Sequence, residues 1–82
     1  MSMIPERQVQ FIDLFRRHAC LSIQDFWLRC YELGGMGTLW ELDAFLHESS
    51  RPTTHEYNLM AQALNEHLLE IGVNESVTYI ER

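Results

Sequence analysis

The sequence predicts an all-α fold: one compact domain of four helices with short connections, ending in a short extended or frayed C-terminal tail. Three observations predict it. Apolar residues recur at the helical period of about 100° per residue over most of the chain. Segments of the form Ser/Thr-x-x-Asp/Glu, in which a hydroxyl and a carboxylate cap a helix start reciprocally, open at Ser22, Thr38 and Thr53. The breakers sit between the periodic runs: Pro5, Gly34, Gly35, Gly37, Pro52 and Gly72 are the only prolines and glycines in 82 residues. A chain of this length carries one domain, residues 1–82, with a modest core.

The first helix is expected over residues 5–19, with Pro5 at the first helical position, where its missing N–H costs nothing. Val9, Phe11, Ile12, Phe15 and Ala19 form its expected buried arc. Arg16, Arg17 and His18 suit the negative end of the helix dipole from a solvated face. The second helix, residues 22–33, is capped by Ser22 with Asp25 reaching back, and Leu21 and Phe26 stand as a hydrophobic staple. Ile23, Phe26, Trp27, Cys30, Tyr31 and Leu33 cover nearly half its circumference, the pattern of a central helix, before Gly34 and Gly35 stop it.

The third helix, residues 38–48, aligns Leu39, Leu42, Phe45 and Leu46 on one stripe and Trp40, Ala44 and His47 on another face. The fourth, residues 53–71, follows the breaker ending in Pro52 and is the longest. Tyr57, Met60, Ala61, Leu64, Leu68 and Ile71 form its stripe; Leu59 and Ala63 interrupt a polar back face, and Leu69 lies off the stripe. In the tail, residues 73–82, Val77 to Ile80 have β propensity, but one short strand cannot stand alone, so the tail frays or pairs with another chain. The short connections set sequence neighbours antiparallel.

The net charge is −6, from six arginines, no lysine and twelve acids. Residues 31–82 hold only Arg51 and Arg82 against nine of those acids. An acidic domain fits phosphate binding poorly, because phosphate contacts supply most non-specific nucleic-acid affinity. Two cysteines are no secreted disulfide framework, and no apolar run reaches the length of a signal core or a spanning helix. The expectation is a cytoplasmic protein that does not engage membranes.

Chemistry-bearing patterns are sparse. His18, Cys20, Cys30, His47, His55 and His67 form none of the usual metal spacings, so no metal site is expected. The glycine-rich turn at residues 34–37 lacks the lysine and preceding strand of a phosphate loop. No serine sits in a nucleophile elbow, and helix-surface carboxylates are background in an acidic helical chain. Neither an enzyme nor a cofactor is expected. Residues 38–66 do have the outline of a helix-turn-helix, in which Arg51, Thr54, His55 and Asn58 would face nucleic acid. That is the alternative function, a diverged DNA-binding or regulatory domain. The favoured expectation is a non-catalytic protein–protein interaction module, self-associating as a homodimer or docking on a larger partner. Its surface would comprise Trp40, Ala44, His47, Leu59 and Ala63, apolar positions off the main stripes of the third and fourth helices.

Overall fold

The capping motifs do set the helix starts. A computed structural model describes residues 6–35, 37–47 and 50–80 and has four helices: α1 Glu6–His18, α2 Ile23–Glu32, α3 Leu39–Leu46 and α4 Thr54–Glu70. Pro5, Met36, the Glu48 end of the third helix and the last two residues lie outside the described residues. Before α3, Thr38 Oγ1 accepts from the Glu41 N–H at 3.2 Å while the Glu41 carboxylate accepts from the Thr38 N–H at 3.0 Å. Thr53 and Glu56 repeat this before α4. Before α2 only half of the expected box forms: Ser22 Oγ accepts from the Asp25 N–H, without the return bond. Asp25 is one methylene shorter than the glutamates that close the other two.

The C-termini share one device. In each of α1, α2 and α4 the chain turns through a positive φ, and two backbone bonds close the end. For α4 these are Gly72 N–H to Leu69 C=O and Val73 N–H to Leu68 C=O, with Gly72 at φ 79°. At the end of α1 the turning residue is Cys20, at φ 58°, with Cys20 N–H bonded to Arg17 C=O and Leu21 N–H to Arg16 C=O. Arg16 then reaches round to donate from Nη1 to the Leu21 carbonyl at 2.9 Å. One residue therefore holds both backbone groups of Leu21. Arg16 is no solvated dipole complement, as the sequence suggested: its side chain is 15% exposed and also grips Asp13 at 2.8 Å.

Of the sequence neighbours, α2 and α3 pack against each other, but the other two consecutive pairs do not pack closely. α1 and α2 each lie against both α3 and α4, whereas α1 with α2 and α3 with α4 contribute little. This arrangement explains the width of the buried face of α4. Two helices and the tail pack on it, and its buried residues span an arc of roughly 200° rather than one narrow stripe. Tyr57, Met60, Ala61, Leu64 and Leu68 are buried as expected, and Leu59 and Ala63 are buried beside them. Ile71, beyond the last helical turn, is half exposed. The core is completed by Val9, Ile12, Leu21, Phe26, Cys30, Leu42, Phe45 and Leu46. Phe11 and Tyr31, both assigned to buried arcs from the sequence, are instead largely exposed. Phe11 stands roughly 90° from the centre of the α1 stripe, a flank position.

The tail is extended, as expected, and forms no strand among the described residues. It folds back along α4 and inserts Val77 into the core, with Val73 and Ile80 packed at its edge.

Candidate protein-interaction surface

α3 presents its two faces very differently. Leu42, Phe45 and Leu46 are buried against α1 and α2, and the opposite side carries Trp40 and His47. Trp40 is 77% exposed, and Ala44, on the same face, is half-buried. His47 closes the helix: its Nδ1 lies 2.9 Å from the Asp43 carbonyl and 3.2 Å from the Asp43 carboxylate. The ring is thereby tied to the end of α3 while remaining exposed.

Beside His47 an open groove of about 530 Å³ runs between α1 and α3. Phe11, Leu14 and Leu46 give it apolar walls, and Gln10, Asp13, Arg17 and His47 a polar border. Arg17 is itself steadied there by Asp13 at 3.1 Å. Apolar walls with a polar rim are the usual anatomy of a protein-binding patch. Of these residues the sequence places His47 on the expected surface, Phe11 on the buried arc of the first helix, and Leu46 on the stripe of the third, where it is indeed buried. The available signal was that Phe11 and Leu14, three apart, share one flank of α1.

The α4 part of the expected surface is not there. Leu59 and Ala63, at 6% and 0% exposure, are sealed within the subunit and cannot meet a partner. Ala63 belongs to the same core cluster as the α4 stripe, so the buried arc of α4 is wider than its apolar period alone implies. The exposed face of α3 therefore does not extend onto α4 through Leu59 and Ala63, and the exposed apolar residues beside His47 belong to α1.

The nucleic-acid positions are dispersed in role. Arg51 and His55 are exposed, and Thr54 is half-buried at the start of α4. Asn58 is already occupied: its Nδ2 donates to the Ile80 carbonyl and its Oδ1 accepts from the Ile80 N–H, both at 2.9 Å. Asn65 holds Val77 in the same way, at 3.0 and 2.7 Å.

Elsewhere, Arg29 of α2 and Glu70 of α4 form a two-point ion pair at 2.6 and 3.1 Å. The Arg29 hydrogen bond holds the Glu70 carboxyl below the usual carboxylate range. His67 lies in the same α2–α4 groove, with Nε2 3.4 Å from the Ala19 carbonyl. Cys30 is buried, and that burial pushes its thiol up to about 12, so it is protonated and unreactive at neutral pH. Among the described residues no three His, Cys, Asp or Glu side chains converge as a metal site, and no helix is long and apolar enough to cross a membrane. Compared with protein-family models, curated proteins and solved structures, the chain gives no significant match.

Proposed function

We propose that this protein is a non-catalytic interaction module of the cytoplasm that docks on another protein, a second copy included, through the outer side of α3 and the adjoining α1 groove. The observation that carries the reading is Trp40, 77% exposed on the solvent side of a helix whose other side is fully engaged in the core. A tryptophan left in water forgoes on the order of 3 kcal/mol of burial free energy that a partner can recover. Phe11 and Leu14 of α1, exposed in the groove beside His47 at the other end of α3, add apolar area. The cytoplasmic assignment is supported by Cys20 and Cys30, both free thiols.

Sedimentation equilibrium tests the proposal on the full chain. The expected result is concentration-dependent association that Trp40→Ala weakens by about 2 kcal/mol, the scale of an interface hot spot. A monomer up to high micromolar concentration, indifferent to Trp40→Ala, would remove the homodimeric form of the proposal. The nucleic-acid reading predicts instead binding that weakens steeply with salt and with Arg51→Ala. Engagement of Asn58 by the tail leaves that reading with less support than the sequence alone suggested.

A further inference from the structure

Two asparagines on α4 treat the tail as if it were a neighbouring β-strand. Each side-chain amide offers one acceptor and one donor, and each pairs with both the N–H and the C=O of a single tail residue: Asn65 with Val77, and Asn58 with Ile80. The spacing fits. Seven helical residues rise about 10.5 Å, and three extended residues span about 10 Å. The tail therefore runs antiparallel to α4 in an extended form. Between the two clamps the Tyr57 hydroxyl lies 2.9 Å from the Thr78 carbonyl and 3.0 Å from the Gln8 side-chain amide. The carbonyl can only accept, so it takes the single hydroxyl proton, and Gln8 completes the contact by turning its amide N–H to the oxygen. Val77 adds a buried anchor, and the adjoining groove is walled by Phe11 and Phe15.

Every polar contact in this clamp is made to main-chain atoms of residues 77–80, and none depends on which copy of the chain supplies them. The segment that joins the tail to α4 is the only part that would have to change. In that segment Gly72 turns at positive φ and Asn74, Glu75 and Ser76 are exposed, while Val73 would give up its N–H bond to the Leu68 carbonyl and its packing at the core edge. A tail continuing beyond α4 instead of folding back would lie antiparallel to the α4 of a copy related by a two-fold axis, which is the orientation the clamp demands. We infer that residues 77–80 of one copy dock on Asn58 and Asn65 of a second, and reciprocally, so that the chain associates by exchanging its C-terminal segment. The short tether gives the tail an effective concentration in the millimolar range for its own clamp, so the closed monomer prevails in dilute solution.

The tether supplies the test. The five steps from Gly72 to Val77 reach at most about 17 Å, and two steps reach only about 7 Å. The path back to the level of Asn65 is about 10.5 Å. Removing Asn74, Glu75 and Ser76 from the full chain therefore prevents closure onto its own clamp while leaving every clamp residue in place. Sedimentation velocity at micromolar concentration is expected to show the shortened chain as a dimer. Asn58→Ala with Asn65→Ala in that background should weaken the dimer by more than about tenfold, and Trp40→Ala should leave it unchanged. The last arm separates this inference from the α3 docking proposal, which concerns a different face. A shortened chain that is helical by circular dichroism yet monomeric overturns the inference. If the shortened chain does not fold, a labelled peptide of residues 76–82 is titrated into the full chain carrying Val77→Asp and Ile80→Asp. Saturable binding that Asn65→Ala weakens supports exchange, and no binding overturns it.

Discussion

Cys20 occupies a backbone conformation that L-residues with a side chain enter at a cost of about 1–2 kcal/mol, because φ 58° brings its Cβ against the neighbouring peptide. Equivalent turns after α2 and α4 are made by Gly34 and Gly72. Cys20→Gly is therefore expected to raise stability by roughly 0.5–1 kcal/mol, the relief being partly offset by the greater freedom of glycine in the unfolded chain. Urea denaturation monitored by helix signal checks it, and a loss of stability would show that the cysteine side chain is held by something besides its backbone. The second cysteine contrasts with the first. Cys20 is exposed, whereas Cys30 is fully buried with its thiol pushed up to about 12 by that burial. A thiol reagent at mildly alkaline pH should modify Cys20 rapidly and Cys30 only as fast as the core opens. Mass spectrometry over time should show one addition long before the second. Simultaneous modification would mean that α2 is not packed as described.

At the scale of elements, the starts of α2, α3 and α4 were legible because a cap is local: the residues that make it lie within four positions of one another. Gly37 shows how narrow such a site is. A Cβ at that position would run into the Glu41 carboxylate that accepts from the Thr38 N–H. Gly37→Ala is expected to displace that carboxylate and cost roughly 0.5 kcal/mol, with the loss confined to the α3 start. Thermal unfolding of the variant against Glu41→Ala measures this, since the two changes should not add. The tail was not legible for the opposite reason. Asn58 and Asn65 are ordinary helix-surface residues until a segment 22 and 12 residues downstream of them, respectively, returns to meet them. Asn65→Ala strands the N–H and C=O of Val77 and should cost about 1–3 kcal/mol. Hydrogen exchange at Val77 should accelerate in that variant far more than exchange in the interior of α3.

The whole molecule is organised by α1 and α2, each packed against both α3 and α4. Helical periods identify which residues turn inward but not which helix they turn toward, and that gap explains the largest misreading, the placement of Leu59 and Ala63 outside. The exposed face of α3 needed no such knowledge: Trp40 stands opposite the stripe of Leu42 and Leu46, a relation contained within one helix. Between distant elements the clearest electrostatic tie is Arg29 of α2 to Glu70 of α4. The Arg29 hydrogen bond, reinforced by the charges of Arg29 and His67 and opposed by desolvation, lowers the Glu70 carboxyl from its ordinary 4.5. A carboxyl whose folded value lies below its unfolded value binds its proton more readily when unfolded, so its contribution to stability is fully present above about 4.5. That contribution disappears as the pH falls through the lower folded value. Glu70→Gln should accordingly destabilise the protein at neutral pH, modestly because the pair faces solvent. The gap between the two proteins should begin to narrow as the pH falls below about 4.5, where the unfolded chain binds the proton, and close below the lower folded value, where folded Glu70 is itself neutral. Urea midpoints of both proteins at several pH values trace that convergence. Parallel curves down to the acid limit would mean that Glu70 is not tied to Arg29, and that α2 and α4 are joined by their apolar faces alone.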